Sequence, residues 1–433
     1  KSLFGYNMNW FSNHDPRFGD PENTNGSSLN TLTETRSNNI TWNFTNTVNY
    51  SKIFSDVHNF DVLVGMESTE FNFDTVTAGR EDFLSTNDDF YYLSSGGPNN
   101  ISNRSDAATG KLFSLFSRVF YSFYDKYIVE GTIRRDGSSR FGANNRYGYF
   151  PAASLGWVVT KENFMEGSSD WLNQLKFRAG WGQSGNDQIG NYNGFSTFGS
   201  GLGNSYYGIS GNDNTITQGY QSTAVGNPNA KWETTESLNI GIDATLFRNL
   251  DLSVDVWNKT TKDMLFRSAI PAVNGQGTAP FVNVGNMDNN GVDIELNYRG
   301  NANNDFSYNI GLNVSTYTNE VTKLSSSDGD ALIGRSERGQ TYTRAISGRS
   351  FPEFYGYIID GIFQTQAEAD AHPTNGTYNE PGNLKVRDIS GPDGVPDGII
   401  TADDRTWIGN PHPDFTVGLN LGFEYKNFDL TSI

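Results

Sequence analysis

Between Phe306 and Ser315 the side chains alternate without a break: Phe306, Tyr308, Ile310, Leu312 and Val314 on one parity, Ser307, Asn309, Gly311, Asn313 and Ser315 on the other. Only an extended strand sends successive side chains to opposite faces, so this stretch predicts a strand with one apolar and one polar face. The pattern recurs along the chain. It is seen in Leu3–Phe11, Asn39–Tyr50, Phe60–Met66, Lys111–Tyr124, Tyr127–Arg134, Phe150–Thr160 and Trp171–Gly185. It returns in Leu238–Leu246, Leu250–Val256, Val292–Tyr298 and Phe415–Tyr425, and Phe428 opens a last strand. Roughly a dozen two-faced strands are more than one small sheet needs and suit an antiparallel barrel.

The connections alternate in length. Short ones fall near Ser55–Asn59, Asp125–Lys126, Arg248–Asn249, Gly300–Asn304 and Lys426–Asn427. Long polar excursions, rich in Gly, Asn and Ser, are expected near 74–109, 186–231 and 325–413, and Pro271–Pro280 also reads as loop. A barrel that crosses one slab back and forth keeps this order, with short turns on one side and long extracellular loops on the other. Aromatic residues crowd the short turns, including Phe54, Phe60, Tyr124, Tyr127, Phe247, Tyr298, Phe306 and Tyr425. Aromatic rings favour a membrane–water boundary, where an apolar body and a polar edge are both satisfied. Asp243, Asp255, Asp293 and Glu295 sit on the polar parity, where a water-filled lumen would solvate them. The expected fold is therefore all-β, an antiparallel transmembrane β-barrel.

Composition removes other classes. No run approaches 18 apolar residues, so a transmembrane helix is excluded, while a barrel hides its lipid face in every second residue. There is no Cys, hence no disulfide framework, thiol nucleophile or thiolate metal site. The four His (His14, His58, His372 and His412) stand at no metal-ligand spacing and read as polar loop or turn residues. A formal charge of -18 argues against nucleic acid. The N-terminus lacks a charged and then apolar leader, and the chain reads as an internal piece of a longer protein.

Several stretches resemble the SusC/RagA family of TonB-dependent outer-membrane transporters. They are Tyr124-Asp125-Lys126-Tyr127, Arg134 through Phe141, Phe150 through Trp157, Leu175 through Arg178, Gly182 through Asn186, Asn283 through Asp293, and Ile408 through Phe415. The resemblance implies a 22-stranded barrel around an N-terminal plug, with the plug absent from this sequence. It implies import of an oligosaccharide or peptide across the outer membrane of a Gram-negative bacterium, driven through TonB. It also implies a SusD-like surface lipoprotein as a lid, and no required cofactor. Two alternatives stay open on the residues alone: a soluble or surface-anchored β-rich adhesin, and a passive porin.

Candidate site residues are few. Aromatic rings in long loops are suited to stack on sugar or peptide faces, and Tyr206, Tyr207, Tyr220 and Trp232 are the candidates. Asp393 to Asp404 partly fits a calcium loop, with Asp393, Asp397 and Asp404 at its first, fifth and twelfth positions and Gly398 at the sixth. Val395 departs from that template at the third position, and an Asp replaces Glu at the twelfth. Catalysis is not expected. Ser138 and Ser139 have no His placed in sequence to serve them, and Gly199 to Gly203 lacks the Lys-Ser/Thr of a phosphate loop.

Overall fold

A computed structural model describes the chain except residues 20–28, 202–204, 209–216, 268–276, 304, 325–330, 334–335, 338–339, 392 and 433. One antiparallel sheet of thirteen strands dominates it. In order these are β1 (Ser2–Arg17), β2 (Thr31–Phe54), β3 (His58–Glu81), β4 (Ser102–Phe123), β5 (Tyr127–Ser138), β6 (Tyr147–Val158) and β7 (Leu172–Asn186). Then come β8 (Glu233–Leu246), β9 (Leu250–Arg267), β10 (Phe281–Asn303), β11 (Phe306–Leu324), β12 (Thr416–Tyr425) and β13 (Phe428–Ser432). Each of these strands pairs with its neighbours in chain order, the arrangement of an up-and-down barrel wall.

Residues in register share a face, so the ladders show what each face carries. One register row runs Phe54, His58, Phe123, Tyr127, Trp157, Phe177, Ile242, Val254, Ile294, Val314, Val417. Every member except His58 is apolar or aromatic. The adjacent row on the other face includes Arg178, Gly241, Asp255, Asp293 and Ser315. The first row begins at the turn-side end of β2 but meets β12 at Val417, well short of its turn-side end at Tyr425. Such a stagger belongs to strands inclined to the barrel axis.

The short turns are tight for a stated reason. Ser55 and Asp56, Tyr124 and Asp125, and Phe247 and Arg248 are paired residues with φ near +50 to +67°. Positive φ at both central residues marks the two-residue turn whose twist matches that of the flanking strands. One connection at this end is longer. Residues 159–171 form two 3-10 segments, and Glu162 there accepts from Tyr127 Oη at 2.5 Å, Trp157 Nε1 at 3.0 Å and Lys126 Nζ at 3.4 Å.

At the other end the strands run further than hydrophobic alternation indicates. The stretch 74–109, expected as loop, is ladder up to Glu81 and again from Ser102. In the rows that are apolar lower down, Asn38 here pairs with Asp74 and Arg36 with Val76, while on the other face Ser37 and Thr35 hydrogen-bond to Thr75 and Thr77, so both faces are polar. Alternation vanishes where neither face is buried, and a polar strand then reads as loop. The 325–413 excursion likewise holds structure of its own: strands at 331–333, 343–346, 353–357 and 405–409 form a four-stranded sheet. Part of the expected Pro271–Pro280 loop, and of Gly199 to Gly203, lies outside the described residues.

Candidate functional site

The polar face and the loops above it form the chemically varied part of the molecule. At its centre Arg178 of β7 reaches across β8 to two carboxylates. Its Nε donates to Asp243 Oδ2 at 2.7 Å, and Nη1 and Nη2 donate to both oxygens of Asp255 at 2.9 Å. Ser253 Oγ donates to Asp243 Oδ1 at 3.0 Å. Gly241 lies in register between Arg178 and Asp255, and a Cβ there would stand 2.5 Å from Asp255 Oδ1 and 2.8 Å from the guanidinium. A side chain at 241 would break the bridge, so the small residue is part of the cluster. Bidentate pairing of this kind fixes geometry as well as charge.

Higher on the same face an aromatic series follows. Trp257 of β9 lies over Gly291, where a Cβ would be 2.4 Å from the indole, and donates through Nε1 to Asp293 Oδ2 at 2.8 Å. Its ring centroid is 6.5 Å from that of Tyr317, which in turn makes an edge contact with His412 at 5.7 Å. Tyr317 Oη and His412 Nδ1 are 3.0 Å apart, and His412 Nε2 is 2.9 Å from the Phe351 carbonyl. His412 thus joins the long excursion to the wall. His412 and His372 keep to loop and turn positions, but two His depart from the loop expectation: His14 lies in β1 and His58 opens β3, stacked on Phe123 at 4.8 Å.

The loop end has its own core. Phe141, Phe150, Ile189, Ala230 and Trp232 pack together, with Phe141 and Phe150 at 5.1 and 5.4 Å from the Trp232 ring. Arg140 and buried Ser138 both bind Asp187, at 3.3 and 2.8 Å, tying the loop after β5 to the loop after β7. Trp232 is only 9% exposed and donates to the Arg146 carbonyl, so its ring packs within this cluster. Tyr207 and Tyr220 are exposed, at 54% and 71%, and Tyr206 is half-buried. The Tyr207 and Thr217 backbones bond reciprocally at 2.8 and 3.1 Å, which brings Tyr207 beside the strand-like segment leading to Tyr220.

The three acids of the Asp393 to Asp404 stretch lie in different settings. Asp404 is fully buried and accepts from the backbone N–H groups of Thr401, Ile389 and Ser390 at 2.7, 2.9 and 3.1 Å. Burial alone would raise its carboxyl, but these donors outweigh it and hold the group below its ordinary value. Asp404 closes a capping box with Thr401. Asp393 and Asp397 are exposed, and no group of three potential metal ligands occurs among the described residues. The Asp–Gly spacing serves the turn and cap.

Sequence reading marked Asp243, Asp255 and Asp293 as polar-face residues but not their partners. Arg178 ends the stretch Leu175–Arg178, and its even spacing from Lys176 places it on the polar parity. Nothing local could join Trp257 to Tyr317 and His412, which come from three distant segments.

A two-faced antiparallel meander with a charged inner lattice and structured loops at one end defines a β-barrel wall of the outer-membrane receptor type. The sequence profile described as TonB dependent receptor-like, beta-barrel matches residues 2–431, and the chain belongs to that family. It is 34% identical to TonB-dependent receptor P3 of Formosa agariphila over 390 residues, covering 89% of this chain and 37% of that protein. It is 29% identical to TonB-dependent receptor SusC of Bacteroides thetaiotaomicron, covering 86% of this chain and 35% of that protein. Among solved structures it matches the RagAB peptide transporter with a TM-score of 0.80 and 26% identity, over 99% of this chain and 44% of that one. The chain therefore spans less than two fifths of the curated relatives it matches. By name these relatives are receptors and transporters, not enzymes.

Proposed function

We propose that this chain forms part of the wall of a TonB-dependent importer in the outer membrane of a Gram-negative bacterium. Its cargo would be a bulky polar nutrient, an oligosaccharide or a peptide. A SusD-like lipoprotein would lie over the loop end, and the TonB complex would engage a part of the protein outside this chain. One observation carries the reading: a register row that, His58 apart, stays apolar or aromatic across ten ladders on one face lies beside a row bearing Arg178, Asp255 and Asp293 on the other. A bilayer outside and water inside satisfy both faces; a soluble sheet would leave the apolar rows wet. Tyr206, Tyr207 and Tyr220 are the proposed aromatic contacts for cargo, since two of them keep their rings in solvent.

The test is to extract the full-length protein natively and identify every chain that comes with it. Detergent-dependent extraction together with a surface lipoprotein, and uptake that stops when TonB is removed, is the expected result. Release without detergent would overturn the reading in favour of an adhesin. Uptake indifferent to TonB would favour a passive pore.

A further inference from the structure

On the apolar face, β5 and β6 carry outward residues in register from one end to the other. Tyr127 pairs with Trp157, Val129 with Leu155, Gly131 with Ala153, Ile133 with Pro151 and Arg135 with Tyr149, while Gly137 pairs with Tyr147. Aromatic residues stand at both ends and small or aliphatic ones between. Eight residues separate Tyr127 from Arg135, which at about 3.3 Å each and a tilt near 40° is roughly 20 Å of depth, close to the ~25 Å apolar band of such barrels. Arg135 thus sits on the outer wall at the loop-side edge of the band.

Its surroundings are specific. The Tyr147 ring lies over Gly137, where a Cβ would be 2.6 Å from Cε1, and the Arg135 Cζ stands 3.8 Å from that ring's centroid. Tyr149 flanks it at 5.9 Å, and Leu115 is its partner on the other side. The Arg135 Nε is buried with no hydrogen-bond partner, and among the described residues no acid pairs with the guanidinium. Other outward-facing bases toward this end differ: Lys111 pairs with Glu70 at 3.2 Å and Lys262 with Glu236 at 2.6 Å. A guanidinium held over an aromatic ring, with its terminal donors unspent, is suited to phosphate oxygens.

We infer that Arg135, seated on Tyr147 and Tyr149, binds the phosphate headgroup of an anionic lipid in the outer leaflet. This rests on the membrane reading above. The aromatic platform orients the fork, and the phosphate accepts from the Nη1 and Nη2 N–H groups at its outer edge, for which no protein acceptor stands among the described residues.

The experiment uses the full-length protein reconstituted in phosphatidylcholine vesicles, with lipid A, dephosphorylated lipid A or inorganic phosphate alone as probes. Wild type, Arg135→Gln and Tyr147→Leu are compared for lipid retained after detergent wash. Wild type should retain lipid A but not its dephosphorylated form, and Arg135→Gln should bind about tenfold more weakly, the size of one charge-assisted contact. Tyr147→Leu keeps the charge and should fall between the two. Equal retention by wild type and Arg135→Gln, with matching circular dichroism, would show that Arg135 only covers the rings. Inorganic phosphate competing as well as lipid A would overturn the lipid assignment. A protein that never enters vesicles would instead bring down the membrane reading itself.

Discussion

The two faces of β8 and β9 are stabilised by different partners. On one, Leu238, Ile240, Ile242 and Val256 remain exposed although they are large and apolar. On the other, Asp243 and Asp255 share Arg178 and Ser253 across three adjacent strands. The apolar face depends on what lies outside the protein, and the polar face carries its own partners. The loop end repeats the contrast, with Trp232 packed by the chain itself and Tyr207 and Tyr220 left to the surroundings. A position of the first kind is therefore sensitive to environment, and one of the second kind to deletion of a neighbour.

The largest effect is expected where the chain supplies the whole environment. Trp232→Ala removes the ring between Phe141 and Phe150 and should loosen that cluster by about 3–5 kcal/mol. Hydrogen exchange at 141–150 and 187–191 would quicken while the barrel's own unfolding midpoint stays put; a shift of the whole barrel would mean the cluster is not a separate unit. Next comes Ile240→Arg, which places a charge mid-way up the apolar face and should cost about 2–4 kcal/mol in lipid. Asn239→Arg, one residue along on the polar face, should cost far less in the same urea titration. Equal costs would erase the distinction between the faces.

Arg178→Ala tests the polar face directly. It leaves two carboxylates that shared one guanidinium, but water reaches the site, so a loss of about 1–2 kcal/mol is expected. The double variant Arg178→Ala with Asp255→Asn should recover part of it. Failure to recover would mean that the bridge contributes shape rather than charge balance.

These contrasts also explain what could be read in advance. Alternation along Phe306–Ser315 exposed both faces because one face meets an apolar medium, and the period of two records that directly. Asn38 and Asp74 pair above the band on the parity that is apolar below, and Thr75 and Thr77 keep the other parity polar, so the strand there left no periodic trace. Trp232 looked like its neighbours Tyr207 and Tyr220 because a loop aromatic has no period, and only the fold brings Phe141 and Phe150 to it. Asp393, Asp397 and Asp404 matched a ligand spacing, yet Asp404 is satisfied by backbone donors from residues 389, 390 and 401. Spacing reports which groups could meet; it does not report what satisfies them first.

The smallest effect should come at the short-turn end, where one carboxylate gathers three donors. The Tyr127 hydroxyl, then the Trp157 indole and Lys126, hold the Glu162 carboxyl below its ordinary value of 4.5. A carboxyl depressed in the folded state contributes stability that is fully present above pH 4.5 and is lost as pH falls through the folded-state value. Acidification below 4.5 should therefore loosen residues 159–171 without unfolding the sheet, seen as a change in Trp157 fluorescence. Because the group is solvent-accessible, the change should be small and weaken further at high salt. Glu162→Gln keeps an acceptor for the hydroxyl and the indole but cannot titrate, so its fluorescence should stay flat over the same range. If the variant titrates like wild type, the acid-sensitive group at this end is another one, and the connection is held by its 3-10 turns alone.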